Sequence, residues 1–445
     1  MSNATKPAQT VAVIGGGYAG MAAAVTLADA GVGCTVFEAG KTLGGRARRI
    51  EYRDEVIDNG QHILAGAYTE LLRLMQLVGV PDSSLRRVPL TLSIPPDFLL
   101  RARRTPLLPG PLYMGWALLA SKGLTISDRL AAIRMIMALK RAKFQIGGSK
   151  SVATFLAEQT QPQNLIDHLW QPLTISALNT PLASASAQVF ANVLRDSLAS
   201  SPEASDLLLP RIDLTALFPD PAAVWLEQNG SEVRTGVRIQ KILVTNDRYQ
   251  VCTDTASQFF DVVILAVGPQ QLEGLTTGIN PPAFLYEPIV TLYFKFEQPT
   301  RLNEPMVGQI DGLAHWFFDR RALSSNSDSL PDGGGGLIAA VISASGPHEL
   351  LSQEKLADCV LAELRRHIAD LPTPAWCKVV SEKFATFACT PDADRPDVTT
   401  SNPGIFRAGD YVAGDYPATL EGAVRNGISA AQESIAYLQN IEPIT

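Results

Sequence analysis

The sequence predicts an α/β fold: a Rossmann-like dinucleotide-binding domain interleaved along the chain with a second, α+β domain. Three observations predict it. Near the N-terminus Val11-Ala-Val-Ile-Gly15-Gly-Gly17-Tyr-Ala-Gly20 runs from an apolar strand straight into an Ala-rich helix. A second apolar run, Cys34–Phe37, ends in Glu38, 18 residues past Gly20. About 390 residues later, Phe406-Arg-Ala-Gly409-Asp410-Tyr precedes another helix that opens at Leu420.

The first strand–glycine–helix unit is legible residue by residue. Gly15 permits the tight turn, Gly17 lets a pyrophosphate approach the backbone, and Gly20 lets the helix pack on the sheet. Phosphates then meet free N–H groups at the helix N-terminus, where the macrodipole favours anions. The helix is expected over Met21–Ala30 and the next strand over Cys34–Phe37. Glu38 is placed to accept hydrogen bonds from the adenosine ribose hydroxyls. Gly44-Gly45-Arg46 follows in a loop, bringing a guanidinium to the same phosphates. Such a fingerprint alone leaves NAD and FAD open.

Length, composition and charge narrow the class. A chain of 445 residues, 46% hydrophobic and 18% charged, buries a large core and suggests two or three domains. A net charge of −7 without a dominant basic stripe argues against nucleic acid as a partner. Five scattered cysteines, with no CxxC and no paired His, suggest neither disulfides nor a metal. The polar leader Met1–Thr10 resembles no secretory signal, so a cytoplasmic location is expected.

The nucleotide-binding pieces fall in blocks 8–80, 205–275 and 385–440, leaving inserts 81–204 and 276–384 as the substrate domain. The first insert reads as helical, with Ala131–Lys143 and Val152–Glu158 free of breakers. The second opens on an alternating strand, Ile289–Phe296, and contains a helix, Gln353–Ile368. Asp332–Gly336 reads as a hairpin connection, since the strand Leu337–Ile342 and no helix follows it. Between Arg104 and Lys122 there is no charge, and the segment holds Leu107, Leu108, Tyr113, Met114, Trp116, Leu118 and Leu119. It is too short and proline-rich to span a bilayer. Two readings of 105–121 stand: a monotopic membrane-contact patch between basic flanks, or a buried lid over the substrate cavity.

These motifs in this order resemble the FAD family that contains amine oxidases and carotenoid desaturases. The resemblance implies a GR2-type FAD-binding domain and an amine oxidase/phytoene desaturase-like architecture. It implies that Val237, in Val233-Arg-Thr-Gly-Val237, pairs its backbone with adenine, with Asp261–Pro269 as the buried strand that follows. Asp410, after Gly409, would hold the ribityl–phosphate part. The helix at Glu421-Gly422-Ala423 would aim its N-terminus at the isoalloxazine. Asp58-Asn-Gly60-Gln61-His62, with Gly66-Ala-Tyr68, is similar to the segment lying over the flavin in plant-type phytoene and ζ-carotene desaturases. No active-site lysine or aromatic cage of the amine-oxidase kind is evident; the lysine on the 288–296 strand, Lys295, comes late.

Leu169-Trp170-Gln-Pro-Leu173, Ala177-Leu-Asn179-Thr-Pro181, Leu208-Leu-Pro-Arg211-Ile-Asp213 and the ending Glu421-Gly-Ala-Val-Arg-Asn-Gly are similar to bacterial hydroxysqualene dehydroxylases. That resemblance spans nearly the whole chain. It implies reduction of hydroxysqualene to squalene for hopanoid or sterol synthesis, with a long isoprenoid substrate; the electron donor is left open, and the 105–121 segment with the absent secretory signal suggests a peripheral place on the inner face of the cytoplasmic membrane.

Loss of the allylic hydroxyl as water needs an acid, and three groups are candidates: His62, Glu421 and Asp58. Each has a plainer role open to it: His62 bonding backbone, Glu421 capping its helix, Asp58 capping a turn. Tyr68, Trp170, Asn179, Arg211 and Tyr416 are the candidate substrate residues, with ordinary core packing as the alternative for the aromatics. Two other functions are consistent with the motifs: a carotenoid-type desaturase, with hydride running the other way, and a non-catalytic isoprenoid escort.

Overall fold

The computed structural model describes residues 10–102, 110–198, 200–245, 248–276, 278–323 and 335–440. Its centre is a five-stranded, all-parallel sheet. β1 (Val11–Ile14) lies between β2 (Cys34–Glu38) and Val262–Leu265; Glu232–Thr235 and Ile405–Arg407 form the edges. β1 and Val262–Leu265 are buried at every position, as a parallel sheet covered on both faces requires. Helix α1 (Tyr18–Asp29) starts three residues earlier than the apolar pattern suggests, directly at Gly17. It packs along the C-terminal helix, Leu420–Asn440, where a Cβ on Gly427 would meet the Ala19 carbonyl oxygen at 2.2 Å. The two ends of the chain are thus held together by a backbone-close helix pair.

The second domain rests on a five-stranded antiparallel sheet. Its order is Met306–Gly308, Trp316–Asp319, Leu337–Ser343, Tyr286–Lys295 and Trp376–Phe387. Gln353–Leu364 covers one face. Residues 332–334 of the expected hairpin connection lie outside the described residues; the strand after it, Leu337–Ser343, is present.

The first insert is not purely helical. Leu85–Val88 pairs with Leu207–Pro210, and Thr91–Ile94 with Phe98–Arg101. Pro89, Pro95 and Pro96 break these strands into four-residue pieces, too short for a period-2 pattern to show. Helix α2 (Thr69–Leu77) precedes the insert, and α3 (Gly110–Leu119), α4 (Ile126–Arg141) and Val152–Glu158 follow its strands. A reciprocal capping box fixes the start of α4, with Thr125 and Asp128 each accepting the other's backbone N–H. Among the described residues no helix is long and apolar enough to cross a membrane.

Candidate functional site

The site assembles where the C-terminal ends of the parallel strands meet the two glycine loops. Gly15 has φ +114°, and a Cβ on Gly20 would lie 1.9 Å from the Gly15 carbonyl oxygen. Gly17 differs: a Cβ there would meet nothing nearer than 3.8 Å. That distinction separates the glycines that let the turn form from the one that leaves room for a ligand. The Gly44–Gly45 loop joins the first by the Gly44 N–H to the Gly16 carbonyl at 2.9 Å, and both Gly44 and Gly45 have positive φ. Glu38 sits at this turn, its Oε2 accepting the Gly16 N–H and its Oε1 the Gly40 N–H, both at 2.7 Å. A carboxylate has about four lone-pair positions, so acceptor capacity for ribose remains. Val237 donates its N–H to the Glu38 carbonyl at 2.9 Å, so the backbone group it can present to adenine is its own carbonyl.

Arg46 and Asp410, 364 residues apart, form an ion pair at 2.5 Å, and Arg46 also donates to the Ala385 carbonyl. Asp410 is buried, and Gly409 before it has φ +154° with the Tyr411 ring against its Cα. Arg395, which no motif announced, organises this loop. Its guanidinium donates to the carbonyls of Gly414 and Tyr416 through one nitrogen and of Asp410 and Val412 through another. An arginine after Asp-Ala-Asp carries no local signature, which is why only the fold exposes it.

The Asp58–His62 segment hangs from the Arg46 loop. Asn59 donates its N–H to the Arg48 carbonyl and its side-chain amide to the Arg46 carbonyl. Gly60 has φ +114°, yet a Cβ on it would meet nothing nearer than 3.8 Å. The Gln61 side-chain oxygen, Oε1, is buried and takes no hydrogen bond among the described residues. His62 Nδ1 lies 2.9 Å from the Gly60 carbonyl; since a carbonyl only accepts, Nδ1 carries the proton and Nε2 is the basic nitrogen. Burial lowers the pKa of His62, the Gly60 bond opposes this, and Arg46 adds to the lowering.

The two carboxyl candidates are held otherwise. Glu421 is buried and caps α2, accepting the N–H groups of Glu70 and Leu71 while pairing with Arg425. Burial raises its pKa against those three contacts. Asp58 accepts the Leu214 N–H at 2.8 Å and lies 3.5 Å from Arg320. Burial pushes it up to about 6, with Arg320 and the Leu214 N–H pulling down. Folded protein therefore binds a proton on Asp58 that the unfolded chain, at its ordinary value of 3.8, has released. Stability contributed here falls as pH rises from about 4 to 6, by at most about 3 kcal/mol at 1.36 per unit. Asp58→Asn is expected to abolish that slope in denaturant titrations; an unchanged slope contradicts the assignment.

At the C-terminal helix, the N–H of Gly422 goes to Thr419 Oγ1 and that of Ala423 to the Thr419 carbonyl. The first-turn donors that can face a ligand are accordingly those of Leu420 and Glu421, two residues before Gly422 and Ala423.

The expected substrate residues do not share one wall. Trp170 is a core residue, its N–H on Gln161 Oε1 and its ring edge-on to Phe190. Asn179, in a left-handed conformation (φ 45°), ties together Glu287, Pro288, Thr386 and Ala344. Tyr68 precedes α2, and burial, then nearby Glu421, raises its phenol. Tyr416 lies under the Arg425 guanidinium, and Arg211 donates its backbone N–H to the Ser84 carbonyl. Tyr68, Tyr416, Glu421 and Arg425 make one cluster; Trp170 and Asn179 stand on other elements.

The residues present fit a flavin dinucleotide. Gly17 and Gly60 each leave room beside the backbone, Arg46 and Asp410 pair two segments far apart in the chain, and the buried side-chain oxygen of Gln61 has no hydrogen-bond partner among the described residues. The family model "Flavin containing amine oxidoreductase" matches residues 18–435. A hydroxysqualene dehydroxylase of Sinorhizobium fredii is 28% identical over 96% of this chain and 99% of its own length. One of Rhodopseudomonas palustris is 29% identical over the same shares. A zeta-carotene desaturase of Synechocystis sp. is 24% identical, over 96% of this chain and 97% of its own. Among solved structures, an oxidoreductase from Methanosarcina mazei superposes with a TM-score of 0.73 at 16% identity, covering 95% of this chain and 100% of that one. With a flavin family and a dinucleotide turn in the same chain, the cofactor is FAD. The chain belongs to the flavin-containing amine oxidoreductase family, as an FAD-dependent oxidoreductase.

Proposed function

We propose that the protein reduces hydroxysqualene to squalene, replacing the allylic hydroxyl by hydrogen. The observation that carries this reading is end-to-end similarity to hydroxysqualene dehydroxylases, over 96% of this chain and 99% of theirs. The reaction balances as alcohol plus hydride plus proton giving hydrocarbon plus water. When bound, reduced FAD supplies the hydride. Its re-reduction draws on a separate electron donor.

The chain's own residues supply orientation and the proton. Glu38, Arg46, Asp410 and the Gly15–Gly20 turn hold the dinucleotide, and Arg395 fixes the loop that carries Asp410. Of the three acids His62 has the contacts that suit the role. Glu421 and Asp58 are committed to backbone N–H groups and arginines, whereas His62 uses only Nδ1, leaving Nε2 to carry and release a proton. A lowered pKa makes its imidazolium a stronger acid. With His62 as donor, kcat is expected to fall about tenfold per unit as pH rises above its pKa and to level off below it. His62→Asn should lose about 10²–10⁴-fold in kcat and flatten the profile while keeping its FAD. An unchanged profile returns the role to Asp58 or Glu421. We propose the division of domains at 80, 205, 275 and 385, and a peripheral site of action on the inner face of the cytoplasmic membrane.

The test of the reaction is anaerobic incubation of photoreduced protein with hydroxysqualene. Squalene and reoxidised flavin are expected. A desaturase would instead reduce oxidised flavin on a hydrocarbon substrate, and an escort protein would purify colourless.

A further inference from the structure

Helix α4 is apolar on two opposite faces. Ala131, Ala132, Met135 and Leu139 point into the core. At about 100° per residue, Ile126, Leu130, Ile133 and Met137 share an outward arc of about 60°. Ile126 is 73% exposed, Leu130 48% and Met137 47%. A surface helix ordinarily presents polar residues there. The preceding helix, α3, packs on α4 and adds Trp116 and Leu119, exposed by 56% and 45%, while its Tyr113, Ala117 and Leu118 are buried. Single exposed apolar residues are commonplace; five on two packed consecutive helices form a patch.

Charge says what covers the patch. Residues 110–146, which hold α3 and α4, carry six Arg and Lys and one acid, Asp128, in a chain whose net charge is −7. Asp128 is buried in the Thr125 capping box. On α4, Arg134 and Arg141 lie along one margin of the apolar arc and Lys140 along the other, and none of the three takes an ion pair among the described residues. A protein partner complementary to this surface would have to alternate acid and apolar groups on that pattern. An anionic bilayer does so at any orientation about its normal: headgroups meet the basic margins and the acyl boundary meets the arc.

We propose that α4, with the outward face of α3, is a monotopic docking surface for anionic phospholipid membrane. The contact expected at 105–121, of which 105–109 lie outside the described residues, is thus proposed for 116–141. The inference draws on the proposed reaction only for the idea that the substrate is dissolved in that membrane.

The test uses full-length holoprotein sedimented with phosphatidylcholine vesicles, with and without phosphatidylglycerol. Binding is expected only with phosphatidylglycerol. The triple variant Arg134→Gln/Lys140→Gln/Arg141→Gln should bind about a hundredfold more weakly. Ile126→Ser/Leu130→Ser/Met137→Ser should bind at least tenfold more weakly, with FAD content and turnover of detergent-dispersed substrate kept. Leu243→Ser/Val244→Ser/Phe259→Ser, on exposed apolar positions of another sheet, should bind as the parent does. Equal loss in that control, no loss in the helix variants, or dissociation of a dimer with vesicle binding intact overturns the proposal. Vesicle binding without hydroxysqualene turnover strikes the reaction and leaves the surface standing; turnover without binding does the reverse.

Discussion

Gly17→Ala is expected to give folded protein without flavin, and Gly20→Ala protein that fails to form the nucleotide fold. The two lie three residues apart in one motif, so the contrast isolates their roles. Gly17 has φ −77°, which alanine adopts, and its Cβ would make only ordinary van der Waals contact with Gly45, at 3.8 Å. What it obstructs is approach of the pyrophosphate. At Gly20 the Cβ would stand 1.9 Å from the Gly15 carbonyl oxygen and 3.1 Å from the Ala266 Cβ. Neither neighbour is a flexible side-chain end, so α1 must move off the sheet, and overpacking of this kind costs about 1–3 kcal/mol or more. Loss of FAD withdraws the ligand's own stabilisation as well, about 4 kcal/mol at a thousandfold excess over Kd. Far-ultraviolet circular dichroism with flavin absorbance separates the cases. Flavin retained by Gly17→Ala would remove this turn from the pyrophosphate site.

The second large effect is expected from Arg46→Ala. Its guanidinium joins the early loop to Asp410 and to the Ala385 carbonyl, so one change opens a junction between segments over 330 residues apart. Asp410, 6% exposed, is then left a charge without its partner. Breaking a fully buried pair costs about 3–5 kcal/mol; with the Arg46 side chain 40% exposed, about 2–3 is the reasonable expectation. That corresponds to FAD held roughly 30- to 150-fold more weakly. Arg46→Lys should recover little, because a point charge cannot reach the carboxylate and the carbonyl together in the guanidinium's geometry. Titration of apoprotein with FAD measures both variants. Parent-like affinity in Arg46→Ala would show that Asp410 is held by Arg395 and the loop alone.

The features legible in the sequence are those with rigid local chemistry. Gly15, Gly20 and Gly409 occupy backbone conformations or contacts that a side chain forbids, so they leave a pattern readable at a distance. Glu38 and Asp410 follow buried strands and inherit their positions from them. Other features depend on partners remote in sequence. Arg395 matters because four carbonyls of a loop 15–21 residues away turn toward it. Glu421 reads as an N-terminal residue of its own helix, but its carboxylate caps α2, about 350 residues earlier. Trp170 and Asn179 sit in a motif that suggests substrate, and the structure packs one in a core and makes the other a junction of four segments. The short strands at 85–101 were hidden by their prolines. The outward face of α4 was masked by its inner one, since a helix apolar on both sides shows no clean amphipathic period.

The direction of hydride transfer is the central claim, and product mass measures it most directly. Protein photoreduced anaerobically in D2O and given hydroxysqualene should release squalene carrying one deuterium at the former carbinol carbon, one equivalent per flavin reoxidised. Squalene without deuterium, or flavin that stays reduced while no squalene forms, would contradict the account.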